Sequence, residues 1–145
     1  MHVMKPLALA LVAAGVASAV PAIAADGDTA VGLWRTPAKN GSVEIVRCGA
    51  SLCGKLKSSE NLRKNPELKD VNNKDAARRD RRLKDLQILG GFKLEKGAWT
   101  GGTIYNPEDG GTYKATITPA GADTIKLKGC IVWPLCKTQT WTRIK

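Results

Sequence analysis

From residue 31 onward the chain alternates apolar and polar side chains in short runs separated by turn-forming residues, the period-2 pattern of half-buried strands. Residues 31–35 open the series and carry Trp34. In residues 42–47, Val43 and Ile45 share one face while Glu44 and Val46 share the other. A tight turn leads to residues 53–57. After a gap the pattern resumes at 86–89, then 92–95 and 98–105, which a Lys96-Gly97 turn joins. Asn106-Pro107-Glu108-Asp109-Gly110-Gly111 is a turn cluster in which Pro presets φ and Asn, Asp and Gly tolerate positive φ. Tyr113, Ala115 and Ile117 align within 112–118. Ile125 and Leu127 oppose Lys126 and Lys128 on the next strand. Gln139, Trp141 and Arg143 face away from three threonines in 137–144.

About eight short strands, each linked to its sequence neighbour, form a meander. The predicted fold is all-β, a small up-and-down antiparallel barrel. Closing such a sheet removes its edges and leaves an interior wide enough for packed side chains or one small ligand. A two-sheet sandwich uses the same local signals, and alternation alone does not say which face is interior.

Residues 58–85 break the rhythm. They lack strand alternation, contain Asn65-Pro66, and lie in a stretch (55–85) with eleven basic and six acidic side chains. Asn72 or Asn73 is placed to cap a short helix across Ala76 and Ala77. Arg78, Arg79, Arg81 and Arg82 are the densest cations, interleaved with Asp75, Asp80 and Asp85. So long an irregular segment in a small domain points to a functional loop, here a basic, partly helical lid or rim over one barrel mouth. Asp70 to Asp75 resembles a calcium loop only superficially. Lys74 occupies a ligand position, and Asp75 stands where the sharp-turn Gly belongs.

Residues 1–24 read as an export signal. Lys5 precedes an apolar run over 7–20, and Ala22-Ile23-Ala24 supplies a small-x-small cleavage site before Ala25. Pro21 interrupts the run, which is short of the ~20 residues that span a bilayer. The chain is therefore expected to be periplasmic or secreted, not membrane-spanning, with one domain over 25–145. Its formal charge of +10 favours anionic partners. In an envelope these are lipid head groups or acidic polysaccharide rather than nucleic acid. The only histidine, His2, leaves with the signal. Without it there is no Ser–His–Asp or Cys–His system and no imidazole metal ligand. No metal and no cofactor are expected.

Cys48 and Cys53 enclose four residues, Cys130 and Cys136 five, and each pair sits where two strands meet. Of the three connectivities that four cysteines allow, local pairing, Cys48–Cys53 with Cys130–Cys136, needs the least rearrangement. A four-thiolate zinc site has spacing that fits only the first pair, and an oxidising compartment disfavours free thiols.

Gly32-Leu33-Trp34 on the first strand and Arg143 on the last resemble the small-barrel pattern of lipocalins and their relatives, in which a Gly-x-Trp meets an Arg at the closed end. A guanidinium over an indole gains cation–π attraction and plugs the base. The mature chain as a whole resembles a family of secreted bacterial proteins, domain of unknown function 2147. The resemblance runs through Gly32-Leu33-Trp34-Arg35, Leu52-Cys53-Gly54-Lys55, Asp70 with Asn73-Lys74-Asp75, and Leu86-Gln87-Ile88-Leu89-Gly90-Gly91-Phe92. It is closest in Trp99-Thr100-Gly101-Gly102-Thr103-Ile104-Tyr105-Asn106-Pro107 and Thr138-Gln139-Thr140-Trp141-Thr142-Arg143. The family pattern carries Pro near Arg82 and Gly near Asp85, where this chain departs from it. The resemblance implies a lipocalin-like barrel and export, and no catalytic residues.

Two non-catalytic functions fit. One is a binding module holding a small apolar or amphipathic, lipid-like ligand, with Trp99, Tyr105, Tyr113, Ile125, Leu127 and Trp141 as candidate lining residues, each equally an ordinary core position. The other is an envelope protein docking anionic lipid or polysaccharide through Arg78–Arg82. An enzyme would have to use Glu108 and Asp109, adjacent acids that the turn already accounts for, so no catalytic residue is assigned.

Overall fold

Among the described residues the alternating runs become nine antiparallel strands: β1 (Gly32–Arg35), β2 (Ser42–Cys48), β3 (Ser51–Ser58), β4 (Gln87–Gly90), β5 (Lys93–Glu95), β6 (Ala98–Asn106), β7 (Gly111–Pro119), β8 (Thr124–Val132) and β9 (Leu135–Arg143). The structure is a computed structural model that describes residues 13–18 and 27–145. The expected cleavage point after Ala24 and most of the expected leader lie outside the described residues.

Neighbouring strands pair in the order β4-β3-β2-β1-β9-β8-β7-β6, and β4 also pairs with β6, which closes the ring. Strand β5 continues β4 past the break at Gly91-Phe92. Leu89 and Gly90 of β4 pair with Ile104 and Thr103 of β6, while Lys93–Glu95 pairs with its lower half, Thr100 to Ala98. The two short strands share one place, so the barrel has eight. Closure, rather than a sandwich, leaves no full edge strand open.

The inward face is the apolar one. Ile125 and Leu127 are buried while Lys126 and Lys128 are exposed, and Trp34, Val43, Ile45, Leu52, Leu89, Trp99 and Ile117 complete the interior. A Cβ at Gly102 would come within 2.3 Å of the buried Phe92 ring, so glycine there lets the aromatic side chain fill the barrel.

One end is closed. Trp34 Nε1 donates to the Ala30 carbonyl at 2.8 Å, and Trp99 Nε1 to the Gly27 carbonyl at 3.1 Å. The Arg143 guanidinium stacks over Trp34 at 4.3 Å from the ring centroid. It also donates to the carbonyls of Thr29, Val31 and Ala122. The Cys48–Cys53 disulfide closes the β2–β3 turn at this end; Cys130–Cys136 joins β8 to β9 at the other.

The insertion folds as a strap across the open end. A helix, α1 (Glu60–Lys64), starts at Ser59, whose Oγ accepts from Leu62 N. Beyond it Leu68 to Asp70 lies beside Arg81 to Leu83, joined by Leu83 N to Leu68 O and Asp70 N to Arg81 O. The helix expected near Ala76 is a single 3-10 turn, Ala76–Arg78, capped by Asp75 rather than by Asn72 or Asn73. Both asparagines are otherwise engaged. Asn72 donates to the carbonyls of Pro107 and Glu108, and Asn73 donates to Asp70 and Tyr105. At the strap's exit Asp85 adopts φ 63, a left-handed conformation that Asp tolerates better than most residues and that suits the Gly of the family pattern. Lys57 holds its carboxylate at 2.5 Å.

Candidate functional site

Below the strap the barrel holds a cavity of about 960 Å³, at the upper end of the ~300–1,000 Å³ usual for small-molecule sites. Alternation puts Val43, Leu127 and Trp141 on its inner wall. The strap contributes Leu68, Val71 and Leu83, and the β8–β9 turn adds Ile131, Pro134 and Leu135 at the mouth. Trp141 forms part of the buried lining, and its Nε1 donates to Gln139 Oε1 at 3.0 Å, so the indole exposes an apolar face without an orphaned donor.

Of the six residues expected to line the interior, Tyr105, Tyr113, Leu127 and Trp141 border this cavity. Trp99 and Ile125 do not. Trp99 is committed to the base, where it pairs with Ile117, donates to Gly27 and carries the Arg47 guanidinium 4.7 Å from its centroid. Ile125 is fully buried opposite Trp141.

The expected basic rim is also placed differently. None of Arg78, Arg79, Arg81 and Arg82 borders the cavity. Arg78 pairs with Asp75, Arg79 Nε donates to the Asn73 carbonyl, Arg81 Nε meets Asp70 Oδ2 at 2.9 Å, and Arg82 pairs with Glu67. Arg78 and Arg81 border a separate cleft of about 460 Å³ with Gln87, Gly90 and Thr103. Of the interleaved acids only Asp75 holds an arginine among the described residues; Asp80 and Asp85 pair with Lys69 and Lys57, while Asp70 and Glu67 hold Arg81 and Arg82. The cations that border the cavity are Lys39, paired with Glu108, Lys69, paired with Asp80, and Lys137. Lys137 has no ion pair among the described residues. It was missed because a lone lysine at a strand start reads as solvated.

A buried carboxylate pins the strap. Asp70 has no exposed surface. Its oxygens accept from Tyr105 Oη at 2.5 Å, Asn73 Nδ2 at 2.9 Å and Arg81 Nε at 2.9 Å. Burial opposes ionisation, but these bonds and the Arg81 charge outweigh it, holding the carboxyl below its ordinary value of 3.8. Burial and the Asp70 carboxylate together push the Tyr105 phenol up. The strap is thus fastened to β6 through Tyr105, which bonds both Asp70 and Asn73.

The β6–β7 turn meets the strap from below. Gly110, at φ 70, has Asn72 O only 2.0 Å from where a Cβ would stand, so the two backbones touch. Asp109 accepts from Tyr113 Oη at 2.5 Å and from Gly111 N at 2.7 Å. Burial works against its ionisation, and these bonds prevail, leaving its carboxyl below the ordinary value. Among the described residues no His, Cys, Asp or Glu cluster is arranged to hold a metal, and no helix is long and apolar enough to cross a membrane.

An eight-place closed barrel with a Trp–Arg clasp at its base and a covered cavity is lipocalin-like in architecture. The chain belongs to the family described as "Uncharacterized protein conserved in bacteria (DUF2147)", which it matches over residues 32–143. Among solved structures it is similar to protein HP1028 from the human pathogen Helicobacter pylori, described as belonging to the lipocalin family. The TM-score is 0.71 at 24% identity, covering 79% of this chain and 82% of that one; at this identity the likeness speaks for the fold. None of the curated proteins matches the sequence.

Proposed function

We propose that this protein is an extracytoplasmic, non-catalytic carrier that holds one small apolar or amphipathic molecule inside its barrel. The carrying observation is the apolar-walled cavity of about 960 Å³ roofed by a pinned strap. Two disulfides and no free cysteine among the described residues suit an oxidising compartment, in keeping with export through cleavage near Ala24/Ala25. Glu108 and Asp109, the acids at the mouth, are engaged with Lys39 and Tyr113 and serve as structure rather than as an acid–base pair. Lys137 is positioned to meet an acidic head group, such as that of a fatty acid, while the chain lies against Leu127 and Trp141.

Titration with a fluorescent fatty-acid analogue tests this reading. Gly129 borders the cavity, and a Cβ there meets nothing closer than 3.7 Å, so Gly129→Leu should project an isobutyl group into the cavity beside Leu127 and Trp141 while leaving the fold intact. Affinity should fall about tenfold or more. Lys137→Gln should weaken the acid but not its methyl ester. Unchanged affinity in Gly129→Leu, with thermal stability retained, overturns the cavity reading.

A further inference from the structure

The most exposed apolar side chains of the barrel are gathered at one end, while Val46 and Ile144 toward the base are each 39% exposed. Ile131, Val132, Trp133 and Leu135 are 74%, 61%, 77% and 64% exposed, and Val71 of the strap, which borders the same cavity as Ile131 and Leu135, is 62% exposed. Four of these five occupy the tip of the β8–β9 hairpin, Ile131 and Val132 ending β8, Trp133 in the turn and Leu135 opening β9, and the Cys130–Cys136 bridge fastens the strands just behind it. Soluble domains scatter exposed apolar residues singly; a contiguous set marks a contact surface.

The charges behind this tip are of one sign. Residues 124–145 contain no Asp or Glu. Lys114 stands opposite Cys130 in the β7–β8 register, Lys128 lies two residues before Cys130 on the outer face, and Lys137 follows Cys136. The acids of the neighbouring β6–β7 turn, Glu108 and Asp109, are held by Lys39 and Tyr113. A Trp with aliphatic neighbours and a collar of lysines is suited to the boundary between head groups and acyl chains, where indoles concentrate and each nearby lysine is drawn to anionic lipid.

We propose that the 131–135 tip seats the open end of the barrel on an anionic lipid bilayer, with Trp133 and its aliphatic neighbours inserted at the interface and Lys114 and Lys128 of the outer face against the lipid phosphates. Ile131, Pro134 and Leu135 also border the cavity, so the docked face is continuous with the entrance. This contact differs from the expected docking through Arg78–Arg82, whose cations are engaged within the strap. It stands whether or not the cavity is filled.

The test is co-sedimentation of the oxidised protein with phosphatidylcholine vesicles, with and without phosphatidylglycerol. Trp34, Trp99 and Trp141 are buried, so a blue shift of tryptophan emission on binding reports Trp133. Val132 and Trp133 do not border the cavity, so Val132→Ser/Trp133→Ser leaves fatty-acid binding in place and separates this proposal from the carrier reading. We expect binding to the anionic vesicles, a loss of about tenfold or more in the double variant, and a weakening of about fivefold for each charge removed by Lys114→Gln or Lys128→Gln at low salt. Absence of binding to anionic vesicles, or binding that the double variant keeps, overturns the proposal. So does a lipid-independent dimer that the double variant dissolves, which would assign the tip to a second copy of the chain.

Discussion

Asp70→Asn removes one charge from the fastening of the strap and changes its shape very little. The wild-type carboxylate takes three side-chain hydrogen bonds, one of them from a guanidinium. An amide keeps one acceptor oxygen and turns the other position into a donor facing donors. A hydrogen bond to a charged group contributes ~1.5–3 kcal/mol, and breaking a buried pair by removing one partner costs ~3–5 kcal/mol. The Arg81 side chain is 35% exposed and regains water once released, so the expected loss is the lower figure, about 2–3 kcal/mol. Urea unfolding at neutral pH should show it. Amide exchange should also accelerate at Asp70 and Leu83, whose N–H groups bridge the two arms of the strap. The pH dependence fixes the cause. Because the folded carboxyl titrates below 3.8, the stability it lends is complete above that value and is lost as pH falls through the folded pKa. The gap between wild type and variant should hold from neutrality to about pH 5 and narrow further down. Equal stability at pH 7, or a gap that persists in acid, would refute the assignment of an ionised Asp70.

Three further outcomes follow from geometry already described. Arg143→Ala should cost about 2–3 kcal/mol in thermal or urea unfolding, since carbonyls and an indole face lose one charged partner; Arg143→Lys should recover little of it, because the planar fork is gone. Gly110→Ala meets both a left-handed backbone and the Asn72 carbonyl. It should lift the strap, seen as faster exchange across 68–83 and faster release of a fluorescent fatty-acid analogue, with little change at the Trp34 end. Non-reducing peptide maps should return only Cys48–Cys53 and Cys130–Cys136; a Cys48–Cys130 or Cys48–Cys136 link would mean distant strands are tied instead.

The barrel was legible because alternation reports which residues share a face, and short turns leave few ways to connect neighbours. Height along the barrel axis was not legible. Trp99 and Tyr105 stand at opposite ends of β6, about 20 Å apart along the strand, so Trp99 lies in the base and Tyr105 reaches the strap. The irregularity between Trp99 and Gly102 also changes which parity faces inward, and a bulge of this kind cannot be counted from alternation. Ile125 and Leu127 share a face, and two residues of height decide which one meets the cavity. The strap misled differently. Its arginines draw attention as a block, but partners supplied by the fold decide whether a cation is available. Asp70, in a charged stretch, looks solvated until Tyr105 arrives from 35 residues away.

The barrel ends where it begins. Leu33 N donates to Lys145 O at 2.9 Å, and the segment at residue 27 lies against Trp99 in the base, so both ends of this unit leave from the same pole. Anything attached there, whether an affinity tag, a fluorescent protein or a chip surface, grips the molecule by its foot. The mouth and the tryptophan-tipped turn are left pointing outward, so an array immobilised through the C-terminus presents every copy in the orientation needed to meet a passing vesicle.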